Sequence, residues 1–107
     1  MTTPNQLNKK VQELWRKYLP QTLARLEVLQ SAVETLSRGD LTNEARTAAA
    51  QEAHKLAGSL GTFGLESGSG IAVEIEQTLS SHTDFSDTEI SKLKVLGDRL
   101  QQEIESR

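Results

Sequence analysis

Of the two histidines in this 107-residue chain, His54 stands where chemistry is possible. It lies inside a stretch whose apolar residues, Ala49, Ala53, Leu56, Leu60 and Phe63, recur at helical spacing. On a wheel of ~100° per residue these five fall in one arc, which must face a core. His54 points about 140° away from the centre of that arc, and Gly58 points nearly opposite it. Gly61 follows on the same outer side, since positions i, i+4 and i+7 line up along a helix. Ala57, one step round, is also small. The imidazole is therefore expected to stand in water beside a strip without side chains. Two helix-interior glycines give up about 2 kcal/mol relative to alanine. Bare backbone beside an exposed histidine makes sense if another molecule must come within bonding distance of the ring. The competing reading is an ordinary surface histidine, with the glycines serving helix packing or a helix end. Geometry alone admits both.

The elements that must position His54 are all helical. Leu7, Val11, Leu14 and Tyr18 form a first stripe, which Pro20 is expected to end while opening the next helix. Leu23, Leu26, Leu29, Val33 and Leu36 form a second, with Gly39 placed to stop it in a left-handed conformation. Thr42 suits the N-cap of the helix that carries His54, with Glu44 favoured in its first turn. Ile71, Ile75 and Leu79 make a fourth stripe, which is expected to begin within Ser67-Gly68-Ser69-Gly70 and to end before Ser80-Ser81-His82-Thr83. Ser86 and Glu89 match a capping box for a fifth helix, with Phe85 and Ile90 placed as a hydrophobic staple. Leu93, Leu96, Leu100 and Ile104 continue it. Short loops imply antiparallel neighbours. The expected fold is all-α, an antiparallel up-down four-helix bundle built from the last four helices. A shorter N-terminal helix would pack over one end, and residues 1–107 would form a single domain.

Composition narrows the chemistry. With 36% hydrophobic residues there is one small core. The absence of Cys excludes disulfides, Cys-ligated metal and thiol catalysis. No apolar run approaches the roughly 20 residues of a membrane span, and the first residues lack the pattern of a signal peptide. A cytoplasmic location with no membrane partner is the expectation, and a net charge of −3 argues against general nucleic-acid binding. That charge is uneven. Residues 1–30 carry five Lys/Arg against two acids, or +3, whereas residues 31–107 carry 7 against 13, or −6. A basic first third could steer an acidic protein partner, though a solvated helix face is the simpler reading. Glu74 and Glu76 are two apart on a helix and face different ways, so they are no catalytic pair. His82 reads as a polar-turn residue, and Trp15 as core or cap packing.

The segment His54-Lys55-Leu56-Ala57-Gly58-Ser59-Leu60-Gly61-Thr62-Phe63-Gly64 resembles the signature of the histidine-containing phosphotransfer (HPt) domains of two-component phosphorelays. That pattern has Leu or Ile two after the His, Gly four after, a small polar residue next and Gly ten after. The resemblance extends to chain length and to the four-helix bundle. It implies a phosphoryl carrier rather than an enzyme. His54 would accept phosphate through Nε2 from a response-regulator receiver domain, or from a sensor or hybrid histidine kinase, and pass it to another receiver. A reference pKa of ~6.5 leaves a histidine a free lone pair near neutrality.

The resemblance also implies that Mg²⁺ sits in the partner receiver, so no metal or other cofactor is assigned to this chain. Lys55 and Ser59 would stabilise the phosphoryl group, and Gly58, Gly61 and Ala57 would leave room for the partner. Many family members place Lys three after the His, where this chain has Ala57. Others orient the imidazole with a Gln on the following helix. Counting along brings Glu76 to that place, with Gln77 beside it, and a carboxylate there would favour imidazolium and repel phosphate. Alternatives are an HPt-type domain served by its own kinase's ATP-binding domain, or a scaffold with His54 inert. A monomer is expected, because each helix has one apolar face to bury.

Overall fold

The computed structural model describes residues 4–107, with side chains from Lys9 onward. The described residues form four helices and no strand: α1 (Pro4–Ser37), α2 (Asn43–Thr62), α3 (Glu66–Ser81) and α4 (Asp87–Glu105). Connections 38–42, 63–65 and 82–86 are short, and each helix packs on its neighbours in sequence. α4 returns to α1, which closes an up-down ring. Among the described residues no helix is long and apolar enough to cross a membrane.

The expected break at Pro20 does not occur. What read as a short first helix plus a second is one helix of 34 residues containing Pro20. The reason is the phase of its apolar seam. Trp15, Leu19, Thr22, Leu26, Leu29, Val33 and Leu36 follow alternating steps of four and three, and all are buried or half-buried. The seam runs through the proline without a shift, while Pro20 itself points to solvent. Leu14, Tyr18 and Leu23, assigned to the buried stripes from sequence, are exposed, because two independent helices allow a phase that one continuous helix does not. Leu7 lies outside the described side chains. Thr22, buried on the seam, satisfies its hydroxyl by donating to Tyr18 O at 3.0 Å.

At ~1.5 Å per residue α1 spans about 51 Å, against about 30 Å for α2. It thus accounts for the 54 Å long axis of a molecule only 22 by 19 Å across. Its turns before Trp15 extend beyond the last deeply buried residue of the helix. Trp15 anchors them, edge-on to Phe63 at 5.3 Å between ring centroids. Pro20 leaves Arg16 O without its usual helical donor and sets a ring against that turn. Pro20→Ala is therefore expected to raise unfolding free energy by up to about 3 kcal/mol in urea titration.

Most remaining ends match local sequence chemistry, but α3 runs on to Ser81, past the end expected before Ser80, and stops at His82. Gly39 adopts φ 77°, a left-handed stop for α1, and Gly64 at φ 80° does the same after α2. The Thr42 hydroxyl accepts from Ala45 N at 3.1 Å. α3 starts at Glu66, so Ser67-Gly68-Ser69-Gly70 is helix. Gly68 allows the approach of three elements, since a Cβ there would lie 3.4 Å from Leu60 Cδ1 and 3.8 Å from Leu100 Cδ1.

Ser86 and Glu89 form the capping box of α4. The Ser86 backbone N–H, then its hydroxyl, hold the Glu89 carboxyl below the usual carboxylate range, with the nearby His82 adding a smaller effect. A depressed folded-state pKa contributes stability above the pH where a free glutamate titrates. That contribution is lost as pH falls through the lower folded value. Glu89→Gln is thus expected to be less stable than the wild type at pH 7, and the gap should narrow as pH falls below the usual glutamate range, in urea titrations across that range.

Candidate functional site

His54 lies midway along α2, with Ala49, Ala53, Leu56 and Leu60 turned into the core at 1% exposure or less. That arc fixes the outward direction of the imidazole, whose side chain is 75% exposed. Its Nδ1 lies 3.1 Å from Glu76 Oε1, reached across the α2–α3 seam. Glu76 is held because Ile75 and Leu79 turn into the core and leave Glu76 on the flank of that apolar face, 28% exposed and within reach of α2. Gln77, the alternative by count, is exposed one step round the helix. A 3.1 Å contact to a carboxylate suits a ring with the proton on Nδ1 and the lone pair on Nε2.

The bare strip is partly as expected. A Cβ at Gly58 would meet no described atom within 4 Å, so the helix surface one turn beyond His54 is open. Gly61 is exposed but serves packing as well. A Cβ there would lie 3.5 Å from Ser69 Oγ, and that hydroxyl donates to Ala57 O at 2.7 Å. Ala57 is not on the strip. It is 9% exposed, because Ala50, Ala53 and Ala57 (i, i+3, i+7) continue the core arc.

The two residues expected to stabilise a phosphoryl group separate. Lys55 stands on the ridge of α2 and borders two concavities. Its Nζ is 3.7 Å from Glu52 Oε1, while Glu52 Oε2 is 2.7 Å from Arg25 of α1. Ser59 lines only the groove between α1 and α2, with Leu14, Tyr18 and Arg25, and does not border the concavity that holds His54. That second concavity, between α2 and α3, brings Thr47, Gln51 and Ser80 beside His54, Lys55 and Glu76. Sequence reading assigned no role to Thr47 or Gln51 and placed Ser80 in a turn, whereas Ser80 lies in the last turn of α3. The available signal was spacing: Thr47 and Gln51 precede His54 by seven and three, and Ser80 follows Glu76 by four.

The other titratable groups singled out in the sequence are structural. His82 joins two helix ends, with Nδ1 3.0 Å from Thr78 O and Nε2 2.8 Å from Glu89 Oε2. Glu74 pairs with Lys92 of α4 at 3.3 Å, away from Glu76. Among the described residues no group of three His, Asp or Glu is placed to hold a metal ion.

A four-helix bundle displaying an oriented, solvent-facing imidazole in mid-helix has the layout of a histidine phosphotransfer module. The Hpt domain model matches residues 13–106, and the chain belongs to that family. It is 36% identical over 93 residues to Protein RcaC of Microchaete diplosiphon, which covers 87% of this chain and 14% of that protein. No solved structure matches. Hpt domains are phosphocarriers of two-component signalling that deal with kinases and receiver domains, and membership gives this chain a phosphotransfer role of that kind.

Proposed function

We propose that His54 is the phosphoacceptor of a relay, taking a phosphoryl group from a receiver-domain aspartate or a kinase and returning it to another receiver. The observation that carries this reading is the pairing of an exposed ring, held through Nδ1 by Glu76, with open backbone at Gly58. The Nε2 lone pair attacks phosphorus while the bond from phosphorus to the aspartyl oxygen breaks, and its electrons return to the aspartate carboxylate. The ring keeps its Nδ1 proton and gains positive charge, which the Glu76 carboxylate faces. Onward transfer reverses these events, with neutral imidazole as the leaving group. This offsets the repulsion between a carboxylate and phosphate that the sequence raised, in the way a buried aspartate supports an imidazolium in a catalytic triad.

The divalent metal such transfers require belongs to the receiver, and this chain acts as a cytoplasmic carrier. The receiver docks on α2 and α1, where the groove beside Lys55 and Ser59 is lined by apolar Leu14 and Tyr18 and by cationic Arg25. Incubation with a phosphorylated receiver should give the chain acid-labile, base-stable phosphate; no labelling by any receiver or kinase would leave only a scaffold. Glu76→Ala is expected to slow acceptance about tenfold or more. Glu76→Gln should recover part of the rate, because its amide oxygen still accepts from Nδ1–H. Single-turnover transfer from a labelled receiver measures both.

A further inference from the structure

His54 sits between two unlike surfaces. Toward the C-terminal end of α2 lies the open backbone of Gly58, and toward the N-terminal end lies a concavity of about 400 Å³ between α2 and α3. We propose that this concavity seats the phosphoryl group once it is on the ring, with the Gln51 amide and the Ser80 hydroxyl as its hydrogen-bond donors. The proposal rests on His54 being the phosphoacceptor, and it relocates the stabilising contacts away from Ser59.

The charges around the concavity require such donors. Glu76 is committed to Nδ1, and its negative charge stands close to any dianion on the same ring. Lys55 is the one cation bordering the concavity, and it is shared with Glu52. The buried Ala57 leaves no charge three residues after the histidine. Neutral donors are what remain to hold phosphoryl oxygens. Thr47 is not among them, because its hydroxyl proton is already given to Asn43 O at 2.9 Å. Gln51, one turn before His54, offers two N–H groups, and Ser80, one turn after Glu76, offers a rotatable O–H from the opposite wall. Ser59 opens onto the other groove and is too far round the helix to share this task.

These donors should set the lifetime of the modified histidine. Hydrolysis breaks the P–N bond through a loose transition state, with the electron pair returning to Nε2 to leave neutral imidazole while water bonds to phosphorus and completes inorganic phosphate. Charge drains from the phosphoryl oxygens as that bond lengthens, so donors that hold the charge slow the reaction.

The test uses the full chain and phosphoramidate, which needs no protein partner. Its P–N bond breaks, ammonia leaves with the electron pair, and phosphorus bonds to Nε2. Decay of phospho-His54 is then followed at pH 7 by site-resolved mass spectrometry. Gln51→Ala and Ser80→Ala are each expected to shorten its lifetime by about three- to tenfold. Thr47→Val and Ser59→Ala should leave it unchanged. Wild-type lifetimes in both Gln51→Ala and Ser80→Ala, or a shortened lifetime in Ser59→Ala alone, would overturn the proposal, as would failure of phosphoramidate to label His54. The relay reading fails separately. Shifted lifetimes with no exchange to any receiver would leave the subsite standing without the relay, whereas normal relay with flat lifetimes would remove the subsite alone.

Discussion

His54→Gln is expected to fold as the wild type does and to take up no acid-labile, base-stable phosphate from a phosphorylated receiver. The side chain is 75% exposed and its one polar partner among the described residues is Glu76, so no core atom need move when it is exchanged. Glutamine keeps an amide able to donate to the Glu76 carboxylate, which preserves the local polar contact. It offers no nitrogen lone pair, because the amide nitrogen is conjugated with its carbonyl. Transfer should therefore fall to background while the urea midpoint stays within the error of a surface change. The lability pattern matters to the assignment: a phosphoramidate is cleaved by acid and survives base, whereas an acyl phosphate is cleaved by base as well. Residual labelling with the wild-type pattern in His54→Gln would move the acceptor elsewhere, with His82 as the remaining imidazole.

Gly58→Gln tests the surface rather than the nucleophile. A side chain begun at Gly58 enters open space, with no described atom within 4 Å of its Cβ. The position has ordinary helical φ, so glutamine gains up to about 1 kcal/mol of helix propensity over glycine. The variant should melt a few degrees higher. It should also lose transfer from a receiver by about a hundredfold or more, since a small misplacement of reacting atoms has that effect. Phosphoramidate, being small, should still label His54 in this variant. Higher stability with lost protein-to-protein transfer and retained chemical labelling is the expected triple outcome. Normal transfer from a receiver would mean that the bare backbone is not where the partner approaches.

What could be read from the sequence followed the range of the physics involved. Helix ends set by local chemistry were legible: the Thr42 cap, the left-handed Gly39 and the Ser86–Glu89 box all appear where residue types placed them. The outward direction of His54 was legible too, because five apolar neighbours fix the wheel of α2. Pro20 misled, because a local rule about helix interiors was outweighed by a seam extending from Trp15 to Leu36, whose phase appears only when the whole helix is taken together. The site was harder. Whether Glu76 or Gln77 faces the imidazole depends on how α3 is rotated against α2, and that rotation is set by Ile75 and Leu79 in the core. Ser59 and Lys55 were assigned by their nearness in sequence, yet Ser59 opens toward α1. Gln51 and Ser80 come together only through tertiary packing.

The unbroken α1 separates two kinds of constraint. From Lys9 to Leu14 no side chain is buried, and the first deep anchor is Trp15. Apart from the half-buried Val11, substitutions in that stretch touch neither the core nor the imidazole, so their effect on stability is mostly one of helix propensity. Evolution can therefore exchange Lys9, Lys10 or Leu14 almost freely, retuning the charge and shape of that end of α1 while the chemistry at α2 stays fixed. A family of such chains can diversify whom each member meets without reinventing what it does on meeting.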